Sequence, residues 1–96
     1  MELVQDPDER VRRSAVADLS KMTDPRAVKV LILAMQDESA AVRGVAAGGL
    51  GSKGARESIP VLMRALNDEV DTVRRHAARS LKQITGQDYN DKIKRD

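Results

Sequence analysis

An internal repeat with an offset of 31 residues constrains this chain more than any other feature. The segments DPDERVRRSAVADLSKM from Asp6, DESAAVRGVAAGGLGSK from Asp37 and DEVDTVRRHAARSLKQI from Asp68 lie in register. At this offset Val11, Val42 and Val73 coincide, as do Arg12, Arg43 and Arg74. Ala15, Ala46 and Ala77 match, and so do Leu19, Leu50 and Leu81. The second half of the unit repeats too, with Val28, Leu31 and Met35 aligning with Ile59, Leu62 and Leu66. A unit of this size cannot bury its own apolar stripe, so neighbouring units must stack and stability is largely nearest-neighbour.

Each unit reads as two helices. In the first helix of the middle unit, Val42, Val45, Ala46, Gly49 and Leu50 fall on one face at helical spacing. Val28, Leu31, Ile32 and Met35 form a similar stripe in the second helix of the first unit. Asp24-Pro25 places a capping side chain before a proline at the first helical position. Gly54 and Gly86 stand where helices should stop. The pattern predicts helices over roughly 8–22, 25–36, 39–52, 55–67 and 70–85, with a short one near 88–95. The expected fold is all-α: an α–α superhelix of three hairpins over 1–96, with units at roughly 6–36, 37–67 and 68–96. Leu3 and Val4 occupy the offset of Ala34 and Met35, the vestige of an earlier helix. The chain therefore reads as a fragment of a longer array or as one that begins with a truncated cap.

Composition agrees with a helical core. Charged residues make up 33% and the hydrophobic set 41%, too apolar for a disordered segment. With one Tyr, no Phe and no Trp, the core must be aliphatic, which suits close helix packing. The lack of Cys removes disulfides, thiolate metal sites and a thiol nucleophile together. No apolar run is long enough to span a membrane, and the acidic start is unlike a signal peptide, so a soluble cytoplasmic protein is expected. The 17 basic and 15 acidic residues nearly balance, which gives little drive toward nucleic acid or an anionic membrane.

The pattern Asp-x5-Val/Arg-x2-Ala-x3-Leu followed by a second apolar helix resembles the HEAT-like repeats of the phycobilisome-lyase type. Asp37-Glu38, Val42-Arg43, Ala46, Leu50-Gly51 and Gly54 carry the closest match, and 84–88 (ITGQD) resembles a common ending of such arrays. The resemblance implies a right-handed stack of antiparallel helix pairs whose second helices line the concave surface. It specifies fold far better than function. Deoxyhypusine hydroxylase-like relatives hold di-iron with paired His-Glu motifs, but here the only His is His76, followed by Ala77. Bilin lyases are longer, and no distinctive bilin motif is visible. No catalytic, metal or cofactor residue is assigned.

Several constellations remain. Asp6 and Arg12, Asp37 and Arg43, and Asp68 and Arg74 recur at a spacing of six. Arg forks at such spacing can bond carboxylates or helix ends across adjacent turns, so we read a structural ladder rather than a charged binding row. Gly49 to Gly54 spells GxGxxG, yet it falls at a helix end with no preceding strand, so no dinucleotide loop is expected. His76 reads as structural, at the edge of the core stripe. Gly44, Gly48 and Gly51 recur on the face opposite that stripe and weaken the helix. Either they drifted in a helix held by its neighbours, or a partner helix approaches this smooth face closely. Arg75, Arg79 and Lys82 form a basic outer stripe, solvated or able to touch phosphates.

The second helices offer the best binding candidates. Arg26, Val30 and Leu33 in one unit and Glu57, Val61 and Arg64 in the next lie opposite the core stripes. Val30, Leu33 and Val61 would make an apolar strip flanked by charge, which is interface-like unless they pack on a neighbouring helix. The expected function is a non-catalytic protein-binding or scaffold module, able to self-associate through open solenoid ends. The alternatives are a nucleic-acid-binding module using Arg and Lys rows, and an accessory subunit of a lyase-type enzyme.

Overall fold

The computed structural model describes residues 2–95, and these form helices and turns with no strand among them. α1 (Glu9–Lys21), α2 (Arg26–Ala34), α3 (Ala40–Ser52), α4 (Ile59–Ala65) and α5 (Asp71–Thr85) follow one another along the chain. No helix among the described residues is long and apolar enough to cross a membrane.

Local chemistry sets the helix ends. The Asp8 carboxylate accepts the Arg10 N–H at 2.8 Å and opens α1. Ser39 caps α3 by accepting the Val42 N–H at 3.4 Å. The Asp24 carboxylate accepts the Arg26 N–H at 2.9 Å, and Pro25 already has helical dihedrals. Gly54 and Gly86 end their helices at φ +61° and +80°, a region that costs a side-chain-bearing residue dearly.

Two expected helices are shorter than their sequence pattern. Between 55 and 67 the chain first makes a 3-10 turn, Arg56–Ser58, and α4 then has only seven residues. Pro60 has no N–H to donate to the Arg56 carbonyl, so an α-helical bond cannot form there. Instead the Ile59 N–H reaches Arg56 O, and the buried Ser58 hydroxyl donates to Ala55 O at 2.6 Å. Near 88–95 only the 3-10 turn Asn90–Lys92 forms. There the Asp88 carboxylate accepts the Asn90 N–H at 2.8 Å, a local bond that competes with helix formation.

That tail nonetheless keeps the register of the missing helix. Tyr89 stands at the offset of Ala27 and Ser58, and Ile93 at that of Leu31 and Leu62; both rest against the core. The Lys94 N–H donates to Leu66 O at 2.9 Å, which ties the tail to the end of α4. At the other end Glu2–Gln5 forms a 3-10 turn, with Val4 against the core and Leu3 59% exposed.

The first helices α1, α3 and α5 lie side by side, with α3 in the middle, while α2 packs mainly against α3 and α4 against α5, each onto the first helix of the next unit. The result is a slab of about 36 × 29 × 16 Å. The repeated apolar positions form its seam: Leu31, Val42, Ala46, Leu50, Leu62, Val73, Ala77 and Leu81 are fully buried. Val11 and Ala15 are half-buried at the outer edge of α1, and Val28 and Ile59 are half-buried on the second helices.

Candidate partner-binding surface

The Arg–Asp row runs along the turns that open the first helices. The Arg12 guanidinium bonds the Asp37 carboxylate at 3.0 and 3.3 Å, and its Nη1 donates to the carbonyls of Asp6 and Pro7 at 2.9 and 3.0 Å. One unit later Arg43 repeats the geometry, reaching Asp68 at 2.9 and 3.1 Å and the Asp37 and Glu38 carbonyls at 2.8 and 3.1 Å. Arg74 donates to the carbonyls of Asp68 and Glu69 at 2.7 and 3.2 Å. Each Asp also turns its own loop: Asp6, Asp37 and Asp68 accept the N–H two residues on, at 2.8 to 2.9 Å. Asp6 opens the row, and Arg12 reaches it through its carbonyl rather than its carboxylate. Every Arg thus holds its own turn, and Arg12 and Arg43 also grip the next.

These pairs are largely buried, and the chemistry reflects it. Burial pushes the Asp68 carboxyl up, but the Arg43 hydrogen bond, the Val70 N–H and the charges of Arg43 and Arg74 outweigh it. The carboxyl is held below its ordinary range. The Asp37 bond raises Arg12 further against its own burial.

The glycines of α3 lie elsewhere than the helical pattern suggested. Gly44 and Gly51 are buried rather than on an outer face, because α3 is flanked on both sides. A Cβ on Gly51 would come within 2.6 Å of the Ser80 Cβ, and one on Gly49 within 2.7 Å of the Ser20 Cβ. The helix that approaches Gly51 is therefore the chain's own α5. The Ser80 hydroxyl completes this contact by donating to Ala47 O at 2.6 Å. Gly48 is different, with nothing within 4 Å of its would-be Cβ.

His76 is half-buried over Gly44, and burial together with the Arg79 charge lowers its pKa. In the basic stripe, Arg75 bonds Asp71 on its own helix at 2.8 Å, while Arg79 and Lys82 are exposed.

Arg26 on α2 and Arg64 on α4 are exposed, as is Glu57, which falls in the 3-10 turn before α4 rather than on the helix. Arg26 is held by Asp24, whose pKa the Arg26 hydrogen bonds lower to about 2. Leu33 is 72% exposed and Val30 half-buried. Val61 departs from the expected strip. At 5% exposure it belongs to the core, because it turns toward the end of α2 and lines a groove there with Met35. Met63, 37% exposed, supplies apolar surface that sequence reasoning missed. It aligns with Ile32, which the helical pattern puts on the core stripe, so nothing in the sequence marks it as exposed.

Helical hairpins stacked in register, closely packed through their first helices and linked by an Arg–Asp row, define an α-solenoid repeat protein. Residues 28–94 match the family model described as HEAT repeats, and residues 11–37 match that of the PBS lyase HEAT-like repeat. The chain belongs to the HEAT repeat family. HEAT repeats generally serve protein–protein interaction or scaffolding. No curated protein matches the chain at a significant level.

Proposed function

We propose that this chain is a non-catalytic scaffold module that holds a partner protein through the exposed face of α2 and α4. The observation that carries the reading is Leu33, at 72% the most exposed large apolar side chain among the described residues. Exposed Arg26 and Lys29 lie on the same helix, α4 adds Met63 and Arg64, and the turns on either side of α4 add Glu57 and Asn67. Apolar anchors among polar side chains are what a buried interface centre and its wet rim require.

The match of residues 11–37 to the lyase repeat model favours a second reading, an accessory role beside a lyase enzyme. In that reading the same face holds the catalytic partner.

Affinity capture tests both, using the wild-type chain, Leu33→Asp and a control at exposed Ser52 on α3, Ser52→Asp. We expect one partner to be lost with Leu33→Asp and kept with Ser52→Asp. A partner anchored by Leu33 should also survive added salt, whereas nucleic acid held by Arg and Lys would be released. Equal capture by all three chains would remove the face from consideration.

A further inference from the structure

We propose that α1 is a dimerisation helix, and that two copies of this chain pair through the outer edges of α1 about a two-fold axis beside Ser14. This inference concerns a different surface from the α2 and α4 face and does not rest on it.

The repeat itself shows that this edge is made to be covered. Val42, Ala46, Val73 and Ala77 are fully buried, and each has a preceding first helix beside it. Their equivalents Val11 and Ala15 are half-buried, with Leu3 59% exposed nearby. Together with Arg10, Ser14 and Asp18 they line a shallow groove of about 410 Å³.

A second copy stacked head to tail, its α5 against this α1, fits poorly there. Between units, Ser20 meets Gly49 and Gly51 meets Ser80, small against small at the closest approach. On the open edge of α1 the position of Gly49 and Ser80 is Asp18, and on α5 the position of Ser20 and Gly51 is Lys82. Stacking head to tail would bring Lys82 and Asp18, opposite in charge but far bulkier than glycine and serine, into an approach that between units admits only small side chains. It would also set Lys82 against Lys21, the pair equivalent to Gly51 and Gln83.

An antiparallel pair of α1 helices fits the same residues. Arg10 and Asp18 stand four positions to either side of Ser14 on one exposed face. A two-fold axis at Ser14 therefore brings each Arg10 onto the partner's Asp18, twice per dimer. The small Ser14 side chain permits close crossing, and Val11 and Ala15 supply the apolar flank. Arg10 now pairs with Asp8 at 3.1 Å while its side chain is 89% exposed, a surface contact that is readily exchanged. Two helices about 20 Å long bury less than the roughly 800 Å² per partner of stable complexes, so the dimer is weak and concentration-dependent.

Sedimentation equilibrium of the full chain at low salt, from about 10 μM to about 1 mM, tests the proposal. The wild type should follow a monomer–dimer isotherm. Asp18→Arg and Arg10→Asp should each weaken association at least tenfold, because like charges then face each other. Mixing these two variants should restore dimers, since Arg10 then meets Asp18 and the new arginine meets the new aspartate. Circular dichroism verifies that both exposed substitutions leave the helices intact. A wild type that stays monomeric at the highest concentration, growth beyond dimers, or mixed variants that do not associate would overturn it.

Discussion

The two helix layers of this molecule are built by different rules. In the first-helix layer, α3 approaches α1 and α5 so closely that Gly49 and Gly51 have no room for a Cβ, and a buried serine hydroxyl bonds across the gap. The Arg–Asp row runs beside it, its side chains largely buried. In the second-helix layer, α2 and α4 have nine and seven residues, and each leaves a large apolar side chain partly in water. The first layer carries the larger share of the contacts between units, where a repeat protein keeps its stability, and α2 and α4 add theirs against α3 and α5. The second is held mainly by its core-facing stripe, which leaves its outer residues free to serve recognition.

The sharpest way to break this contrast is to truncate one leucine in each layer. Leu50→Ala, in the fully buried seam of α3, should cost about 2–5 kcal/mol in urea unfolding followed by circular dichroism. Leu33→Ala, on α2, should stay within about 0.5 kcal/mol. Comparable losses would show that both layers carry the fold.

Glycines within α3 sharpen the contrast on a finer scale. Gly51→Ala puts a Cβ into the Ser80 side chain and should destabilise by about 1–3 kcal/mol, less what the helix gains from alanine. Gly48→Ala meets nothing within 4 Å and should stabilise by about 0.5–1 kcal/mol, as expected for removing glycine from a helix interior. If both changes raise the unfolding midpoint, the close approach of α3 and α5 is looser than described.

The smallest effect concerns acid. Asp68 has a depressed pKa in the folded chain, so the unfolded chain binds its proton more readily. Its stabilisation is complete above the ordinary carboxylate value of about 4 and drains as the pH falls through the depressed value. Urea midpoints measured between pH 6 and pH 2.5 should decline with acid, and Asp68→Asn should decline less steeply. Parallel curves would mean that the row contributes nothing pH-dependent at this site.

Much of this architecture was legible in the sequence because one register repeats. Val42, Ala46 and Leu50 could be checked against their equivalents, and the helix stops at Gly54 and Gly86 follow from local backbone chemistry. The spacing of six between Asp and Arg indicated a row of guanidinium contacts. It could not say that Arg12 and Arg43 grip the next unit's carboxylate while reaching only the carbonyl of their own Asp. What escaped was tertiary. Gly44 and Gly51 lie opposite the apolar stripe on a helical wheel, but a middle helix has neighbours on two sides, and a wheel does not show the second. Val61 faces the core rather than the expected strip, and Met63 is exposed although it aligns with Ile32 of the core stripe. The edge of α1 was legible only in hindsight, as Asp18 standing where the later units carry Gly49 and Ser80.

The position of the only aromatic ring has an experimental consequence. Tyr89 sits in the tail, half-buried at the place of a missing helix, while the helical signal comes from α1 to α5. Its ultraviolet absorbance and emission are therefore a natural probe of whether the third unit is closed. Read beside the amide signal, it separates fraying of one end from melting of the whole, a distinction that a chain with several scattered rings would blur.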